Sequence, residues 1–333
     1  MKTLVTGGGG FLGQAIVKLL LQQGDEVRSL ARSHYPELEP LGVEQVQADI
    51  ADFPAVSSAV QGCDRVFHVA AKAGVWGAFQ DYYRANVLGT QNLLNACREQ
   101  AVTKLIYTSS PSVVFDGSDL EGVDESVPYP SRFHAFYPQT KAAAEQRVLA
   151  ANDATLATVA LRPHLIWGPE DNHLVPRILE RGRAGALRRI GRRNCLVDAI
   201  YIDNAAQAHL QAAAVLAPAS PVAGRAYFIA NDEPQPLWEI INGILACAAI
   251  APVTRSVPPR LAYALGWGLE KCYRMFRLPG EPRMTRFVAR ELATAHWFDL
   301  SAAKRDFNYQ PQVSTAEGLE HLRAWLRDNP DAR

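Results

Sequence analysis

Short apolar runs alternate with helical patterns through the first half of the chain. Runs rich in β-branched residues predict strands at residues 2–6, 26–30, 43–47, 65–70, 105–109 and 157–161. Between them, apolar residues recur with the period of an α-helix over residues 11–22, 82–100 and 139–151. Because strand and helix alternate, the pattern predicts an α/β fold: a doubly wound, Rossmann-like parallel sheet covered by helices on both faces.

The pattern changes after Pro163. Glycine, proline and arginine become frequent there, and longer loops separate the helices. We therefore predict a first domain over residues 1–165 and a smaller C-terminal lobe over residues 166–333, with residues 199–215 returning to the first domain.

Composition and charge narrow the functional classes. The 333 residues include 34 Lys and Arg and 34 Asp and Glu, so the formal charge is zero and nothing favours nucleic acid as a partner. The five cysteines show no CxxC or metal-ligand pattern, which predicts free thiols in a reducing compartment and no metal site. A strand at the first residues leaves no room for a signal peptide, and the apolar stretches 244–251 and 261–269 are too short to span a bilayer. The expected location is the cytoplasm.

A glycine-rich loop joins the first strand to the first helix. Residues 6–13 read TGGGGFLG, in the strand–loop–helix context that a dinucleotide-binding motif requires. Without side chains the backbone can turn tightly and approach a pyrophosphate, which the free N–H groups of the helix N-terminus bind. The glycines fit two registers, which start at Gly7 or at Gly8. The residues predicted to bind the cofactor are Gly7, Gly10, Phe11, Leu12 and Gly13.

The end of the second strand bears on the choice of nicotinamide. An acidic residue roughly 20 residues past the glycines would hold the ribose 2′-hydroxyl of NAD, but the position near Ala31 has none. Arg28 and Arg32 flank it, and a guanidinium can pair with a 2′-phosphate. We therefore predict that Arg32 binds NADP(H) as the preferred cofactor, with NAD(H) as the alternative if both arginines are simply solvated.

Three further strand ends supply candidate cofactor contacts. Asp49 and Ile50 follow the third strand, and the Asp49 carboxylate could accept a hydrogen bond from the adenine amino group. Asp49 or Asp52 could equally cap the next helix. Ala70 ends the fourth strand and Pro163 follows the sixth, and both are expected beside the cofactor because open α/β sheets bind ligands at the carboxyl ends of their strands.

A tyrosine and a lysine four residues apart indicate the chemistry. On a helix, Tyr137 and Lys141 share one face. A nearby cation would lower the tyrosine pKa from about 10 toward the range where a phenol relays protons at neutral pH. The fifth strand ends in YTSSP, where Ser110 could donate to a substrate carbonyl oxygen or merely cap a turn. We predict that Ser110, Tyr137 and Lys141 are catalytic.

These motifs together resemble the extended short-chain dehydrogenases. In order, they are TGGGGFLG at 6–13, NVLGT at 86–90, YTSS at 107–110, YxxxK at 137–141 and Arg162-Pro163. Within that family the chain is most similar to the 3β-hydroxysteroid dehydrogenase branch, which includes sterol-4α-carboxylate 3-dehydrogenases and bacterial 2-alkyl-3-oxoalkanoate reductases. The segments AKAGVWG at 71–77 and LRPHLIWGP at 161–169 look closest to the last group.

The resemblance implies roles for individual residues. The family serine precedes a valine by three positions, which selects Ser110 over Ser109 because Val113 follows. By resemblance, Tyr137 protonates the carbonyl oxygen and Lys141 also holds the nicotinamide ribose. Asn86 would support a helix near the cofactor, although packing explains it equally well.

The resemblance also implies a small hydrophobic substrate that carries a ketone or alcohol β to a carboxylate. This is a 2-alkyl-3-oxo or 3-hydroxy long-chain acid or a 3β-hydroxysterol acid, bound by the C-terminal lobe. Trp76 and Trp167 are expected pocket walls, and residues 261–269 could line a pocket, touch a membrane surface or simply pack in the core. His164 could face the nicotinamide or be structural. The candidate partners of the carboxylate are Arg162, His164, Arg177, Arg181, Arg183, Arg188, Arg189, Arg192 and Arg193.

Two other functions use the same scaffold. One is a nucleotide-sugar epimerase or dehydratase with tightly bound NAD, and the other is a dinucleotide sensor without catalysis. Sensors usually lose the tyrosine, whereas Tyr137 is present here. Analogy with the family predicts a homodimer through the helices at 82–100 and 139–151.

Overall fold

A parallel β-sheet forms the centre of the molecule. The computed structural model describes residues 1–332. Its strands are β1 (Lys2–Thr6), β2 (Glu26–Ala31), β3 (Glu44–Gln47), β4 (Arg65–His68), β5 (Lys104–Thr108), β6 (Leu120–Val123), β7 (Ala157–Pro163), β8 (Ile166–Trp167), β9 (Arg189–Ile190), β10 (Leu196–Val197), β11 (Ile200–Tyr201), β12 (Arg225–Ile229), β13 (Gln235–Pro236), β14 (Ser256–Val257) and β15 (His296–Phe298). In the described residues, seven of them form a sheet in the order β12-β7-β5-β4-β1-β2-β3, and neighbouring strands are parallel.

Helices cover both faces of this sheet. They are α1 (Phe11–Gln22), α2 (Phe53–Val60), α3 (Phe79–Tyr82), α4 (Gly89–Glu99), α5 (Phe136–Ala150), α6 (Leu174–Arg183), α7 (Ile202–Val215), α8 (Leu237–Cys247), α9 (Pro259–Met275), α10 (Arg286–Glu291), α11 (Ser301–Phe307) and α12 (Thr315–Asp328). Val5 on β1 packs in one apolar core with Ile16 of α1, and its neighbour Leu4 packs in another with Val56 of α2. Adjacent strand residues thus face opposite helical layers, which confirms the predicted doubly wound α/β fold.

The second half of the chain contributes both to this sheet and to a lobe. Most of the segment 199–215 is helix α7, which packs on α1 instead of forming a sheet strand. The strand that extends the sheet is β12, which pairs with β7. A separate four-stranded sheet, in the order β13-β10-β15-β6, joins β6 from the first half to β15 from the second. The predicted domain boundary near residue 165 stays a prediction.

The predicted helix at 82–100 consists of three pieces in the structure. Helix α3 leads into a π-helical segment at Tyr83–Leu88, and α4 follows directly. Asn86 lies in this π-helical segment, where its side chain donates to Thr140 Oγ1 on α5 (3.0 Å) and accepts from the Lys72 N–H (2.7 Å). A π-helical turn, which often marks a functional site, therefore ties α5 to the loop after β4.

A buried ion pair joins α5 to β7. Arg162 donates through Nε to Glu145 Oε2 (3.0 Å) and through Nη2 to Glu145 Oε1 (2.7 Å), and Tyr129 donates to the latter oxygen (2.6 Å). The Arg162 side chain is 3% exposed and that of Glu145 0%, so each charge depends on the other in place of water. Because Tyr137, Lys141 and Glu145 follow at intervals of four, they share one face of α5. The ion pair therefore holds the helix that carries the predicted catalytic residues.

Replacing Arg162 by methionine is expected to lower the free energy of unfolding by about 3–5 kcal/mol, because Glu145 would become an unpaired buried charge. Urea titration followed by circular dichroism measures this loss. The exposed pair of Lys304 and Asp232 provides the control: Lys304→Met should cost about 1 kcal/mol or less. The double variant Arg162→Met/Glu145→Met should regain much of the loss, and a single variant as stable as Lys304→Met would contradict this account.

Candidate active site

The glycine loop lies where the sheet changes its winding direction. Strand β1 pairs with β2 on one side and with β4 on the other, the position at which open α/β sheets bind ligands. Gly7 has a φ of +71°, and a Cβ on it would lie 3.0 Å from the Cα of Ala70. A Cβ on Gly13 would lie 2.0 Å from the carbonyl oxygen of Gly7. This tight turn at the start of α1, which begins at Phe11, fits the pyrophosphate of a dinucleotide.

The two arginines near the end of β2 have different surroundings. Arg28 donates to the carbonyl oxygens of Ala59 (2.7 Å) and Gln61 (2.9 Å) and pairs with Glu44 (2.9 Å). Its guanidinium therefore caps the end of α2 and is not free to bind a phosphate. Arg32 is exposed just past the end of β2, and its guanidinium has no ion-pair partner within residues 1–332. Of the two, Arg32 stays the candidate for the 2′-phosphate.

The residues after β3 are partly engaged by the protein itself. The Asp49 carboxylate accepts from the backbone N–H two residues on (2.9 Å) and pairs with Arg84 (3.1 Å). These contacts hold the Asp49 pKa below its usual range. Asp52 is the residue that caps α2, and Ile50 is buried. The adenine contact of Asp49 stays a prediction.

Ser110, Tyr137 and Lys141 meet beside the carboxyl end of β5. The Ser110 hydroxyl is hydrogen-bonded to that of Ser112 (2.9 Å) and accepts from the Ser112 N–H (3.2 Å), and it lies close enough to the Tyr137 phenol to lower the pKa of that group. Lys141 is buried, donates to the last carbonyl oxygen of β5 and lies 4.1 Å from the centre of the Tyr107 ring. The loop after β5 and helix α5 thus bring the Ser110 hydroxyl and the Tyr137 phenol to one cavity, and α5 places the Lys141 amino group at the carboxyl end of β5.

The neighbouring serine has other contacts. The Ser109 N–H donates to the carbonyl oxygen of Leu161 (2.6 Å), and the Ser109 hydroxyl is buried without a hydrogen-bond partner among the described residues. Ser110, by contrast, lines a cavity together with Tyr137. This geometry favours Ser110 over Ser109 as the group that meets a substrate.

Burial sets the protonation of both ionisable catalytic candidates. It raises the pKa of Tyr137 to about 12, an effect that the nearby Ser110 hydroxyl partly offsets. It lowers the pKa of Lys141 to about 7, with the Glu145 carboxylate acting in the opposite direction. The structure thus corrects the expectation that the lysine lowers the tyrosine pKa, because burial dominates at Tyr137. The phenol is protonated at neutral pH and can donate a proton.

A cavity of about 190 Å³ lies against the serine and the tyrosine. His164 also lines this cavity. Its Nδ1 is hydrogen-bonded to the Asp198 carbonyl oxygen (2.9 Å), and its ring packs on Phe298 at 5.2 Å. His164 is therefore a structural histidine and a cavity wall at once. The C-terminal lobe residues that complete the lining are Phe287, Glu291, His296 and Phe298.

Glu291 is a cavity residue that the sequence did not reveal. Burial raises its pKa to about 8, so the carboxyl group is neutral at pH 7 and can donate a hydrogen bond. Burial also lowers the pKa of His164 to about 4 and that of His296 to about 3, so both imidazoles are neutral. No local motif surrounds Glu291, and the folding of the C-terminal lobe alone brings it to Tyr137.

The cavity differs from the expected carboxylate site. His164 lines it, but none of the arginines named as candidate partners does so within the described chain. Arg162 is held in its buried ion pair, and Arg177 and Arg193 pair with nearby carboxylates. Of the expected partners of the carboxylate, only His164 thus lines this cavity within the described residues, and burial keeps its imidazole neutral. The expected cation in the C-terminal lobe stays a prediction.

A larger cavity of about 710 Å³ adjoins the first, and Val75 and Phe287 line both. Trp76 forms part of its wall and packs edge-on against Tyr273 at 6.1 Å. Trp167 lines neither cavity, because it is fully buried in β8 against other core side chains. The structure thus brings Trp76 to the candidate site but not Trp167.

Within the described residues, a Ser–Tyr–Lys cluster beside a dinucleotide cradle is the arrangement of a short-chain dehydrogenase. Residues 4–251 match the 3-beta hydroxysteroid dehydrogenase/isomerase family. The chain belongs to this family and is an NAD(P)-dependent oxidoreductase of the class that acts on CH–OH groups. The resemblance that the sequence motifs indicated is confirmed.

Three known proteins illustrate the similarity. A 2-alkyl-3-oxoalkanoate reductase of Shewanella oneidensis is 53% identical, over 97% of this chain and 85% of its own. The protein of the same name from Stenotrophomonas maltophilia is 52% identical, over 97% and 99%. The structure of a Thermus thermophilus UDP-glucose 4-epimerase in complex with NAD is 26% identical, with a TM-score of 0.74 over 98% and 99%. The homodimer and the cytoplasmic location stay predictions.

Proposed function

We propose that the protein is an NADP(H)-dependent ketoreductase that interconverts a ketone and a secondary alcohol on a 2-alkyl-3-oxo or 3-hydroxy long-chain acid. The Ser110–Tyr137 pair carries this proposal, because it lines a small cavity that adjoins a larger one with aromatic walls. Relatives named for such acids are 52% and 53% identical to the chain. A 3β-hydroxysterol acid is the second candidate, because the family is named for hydroxysteroids.

The catalytic groups divide the reduction between them. When bound, the reduced nicotinamide supplies a hydride to the carbonyl carbon. Tyr137 gives its proton to the carbonyl oxygen, so that an O–H bond forms as the C=O π bond opens and a phenolate remains. Ser110 donates a hydrogen bond to the same oxygen, and Lys141 in its protonated form stabilises the phenolate electrostatically. Oxidation of the alcohol uses the same groups in reverse.

The substrate carboxylate must share the small cavity, because it lies only two bonds from the reacting carbon of a 3-oxo acid. A carboxylate there meets neutral groups, namely Ser110, His164, His296 and Glu291. The protonated Glu291 is a hydrogen-bond donor suited to this anion. Once Glu291 ionises, it repels the carboxylate. The alkyl chains extend into the larger cavity beside Trp76.

Replacing Tyr137 by phenylalanine is expected to lower kcat by about 10²–10⁴-fold and to leave cofactor binding intact, because the proton donor is lost while the glycine cradle remains. The assay follows the near-ultraviolet absorbance of reduced nicotinamide during oxidation of a long-chain 2-alkyl-3-hydroxy acid. Tyr83→Phe, at an exposed tyrosine, is the control. Full activity of Tyr137→Phe would contradict the assigned role, and a wild-type protein without net cofactor turnover would favour the epimerase alternative.

Replacing Arg32 by glutamine is expected to raise KM for NADP about 10-fold to 100-fold and to leave KM for NAD nearly unchanged, since only NADP carries the 2′-phosphate. The same oxidation assay with both cofactors measures the ratio. Arg28→Gln removes an equal charge four residues earlier in the chain and should leave that ratio unaltered, because the Arg28 guanidinium caps α2. A wild-type preference for NAD would contradict the assignment of Arg32 to the 2′-phosphate of NADP.

The dependence of KM on pH tests Glu291. For a carboxylate substrate, KM should rise about tenfold per pH unit above pH 8, where the Glu291 carboxyl group ionises. The variant Glu291→Gln keeps a neutral donor and should remove this rise, and the methyl ester of the same substrate should never show it. A wild-type KM that stays flat between pH 7 and 10 would refute the contact.

A further inference from the structure

Helix α9 presents apolar side chains to the solvent. Leu261, Leu265, Cys272 and Met275 recur at helical spacing on one exposed face. The opposite face, with Ala262, Gly266 and Glu270, is buried against α10. A helix on the surface of a protein normally shows the reverse arrangement. Large apolar residues continue past the end of α9, where Phe276 is 64% and Leu278 is 43% exposed.

Positive charges surround this apolar surface, which we call the α9 face (Leu261, Leu265, Cys272, Met275, Phe276 and Leu278). Four exposed cations lie on and just after α9, namely Arg260, Lys271, Arg274 and Arg277. In the part of the chain that the structure describes, none of the four has an ion-pair partner. The acid of α9, Glu270, is buried and paired with Arg286 (2.7 Å). A chain of zero net charge thus gathers unpaired positive charge around one exposed apolar patch.

The same segment borders the larger cavity. Tyr273, Arg274, Arg277 and Leu278 line that cavity, which shares Val75 and Phe287 with the cavity of Tyr137. The smaller cavity, at about 190 Å³, lies below the roughly 300–1,000 Å³ of ordinary ligand pockets. A long-chain substrate must therefore occupy both cavities. Its alkyl end then reaches the protein surface beside the α9 face.

We propose that the α9 face docks on an anionic phospholipid bilayer and that the larger cavity receives the alkyl chains of the substrate from it. Apolar residues flanked by basic ones, with a half-exposed tryptophan such as Trp267 (51%), are the chemistry of a helix that lies in the headgroup region. The docking stands on the α9 face itself, while the delivery of substrate rests on the proposed function. Among residues 1–332, no helix is long and apolar enough to cross a bilayer, so the contact is peripheral.

The charges favour a membrane over a second copy of the chain. In a twofold interface the same patch meets itself. The cations around α9, such as Arg260 and Lys271, would then face their own copies without intervening carboxylates, and such like-charge contacts are unfavourable. An anionic lipid surface neutralises the same cations and covers the apolar side chains.

Flotation with vesicles tests the docking. The full-length wild-type protein is expected to bind vesicles of phosphatidylglycerol and phosphatidylcholine and to bind phosphatidylcholine alone only weakly. The variant Leu261→Ser/Leu265→Ser/Met275→Ser should lose about tenfold or more in affinity. The variant Arg260→Gln/Lys271→Gln should lose a similar factor on the anionic vesicles alone.

The matched control replaces exposed apolar residues elsewhere on the surface. Leu41→Ser/Val215→Ser should bind the vesicles like the wild type. Failure of the wild type to bind anionic vesicles at low salt would overturn the proposal, as would unchanged binding by the triple variant. A dimer in light scattering that the triple variant converts to monomers, without vesicle binding, would assign the α9 face to a second copy and equally overturn it.

A second readout separates docking from catalysis. The triple variant should keep the wild-type kcat/KM on a short-chain 2-alkyl-3-oxo acid in buffer, because its three positions line neither cavity. Anionic vesicles should accelerate the wild type on a long-chain substrate and leave the variant unaffected. If the wild type binds the vesicles but its rate on the long-chain substrate does not rise, the proposed delivery of substrate from the bilayer is wrong. The flotation contains no substrate, so its failure leaves the ketoreductase proposal standing.

Discussion

Glu145 and Arg162 hold α5 against the sheet through a charge pair that water does not reach. On the same helical face, Lys141 donates to the last carbonyl oxygen of β5, and Tyr137 meets the Ser110 hydroxyl. A shift of α5 along the sheet would break the ion pair and leave buried charges unpaired, which is costly. The position of the catalytic phenol therefore follows from the electrostatics of a pair that takes no part in the chemistry.

The glycine loop and the C-terminal lobe are both placed around α5 and its catalytic tyrosine. The carboxyl ends of β1 and β4 supply the glycine cradle, and the pairing of β6 with β15 brings the C-terminal lobe over the tyrosine. The lobe contributes neutral polar groups next to the tyrosine and an apolar, basic helix farther out. This order suits a substrate with a polar reacting end and a hydrocarbon tail. Burial raises the pKa of both the Tyr137 phenol and the Glu291 carboxyl group, and for the carboxyl group this changes the protonation state at neutral pH from ionised to neutral.

Sequence was sufficient where the signal is local. The glycine loop, the Tyr137–Lys141 spacing and the alternation of strands and helices depend on neighbouring residues, and the structure places them as expected. The sequence was insufficient where the role of a residue depends on where its side chain points or on contacts with residues far along the chain. Arg28 and Arg32 look alike in the chain, yet one caps α2 and the other is exposed. Glu291 has no motif, Trp167 lies in the core despite its position, and the pKa of Tyr137 depends on burial that no spacing reveals.

Isotope transfer offers the sharpest test of the proposed chemistry. The protein would be given NADPH with deuterium at both hydrogen positions of nicotinamide C4, together with a long-chain 2-alkyl-3-oxo acid, and the product would be examined by mass spectrometry and NMR. A single deuterium on C3 of the 3-hydroxy acid, with NADP formed in equal amount, is the predicted result. A product without deuterium at C3, or a ketone returned unchanged while NADPH is bound, would contradict the assignment of a ketoreductase acting on this substrate.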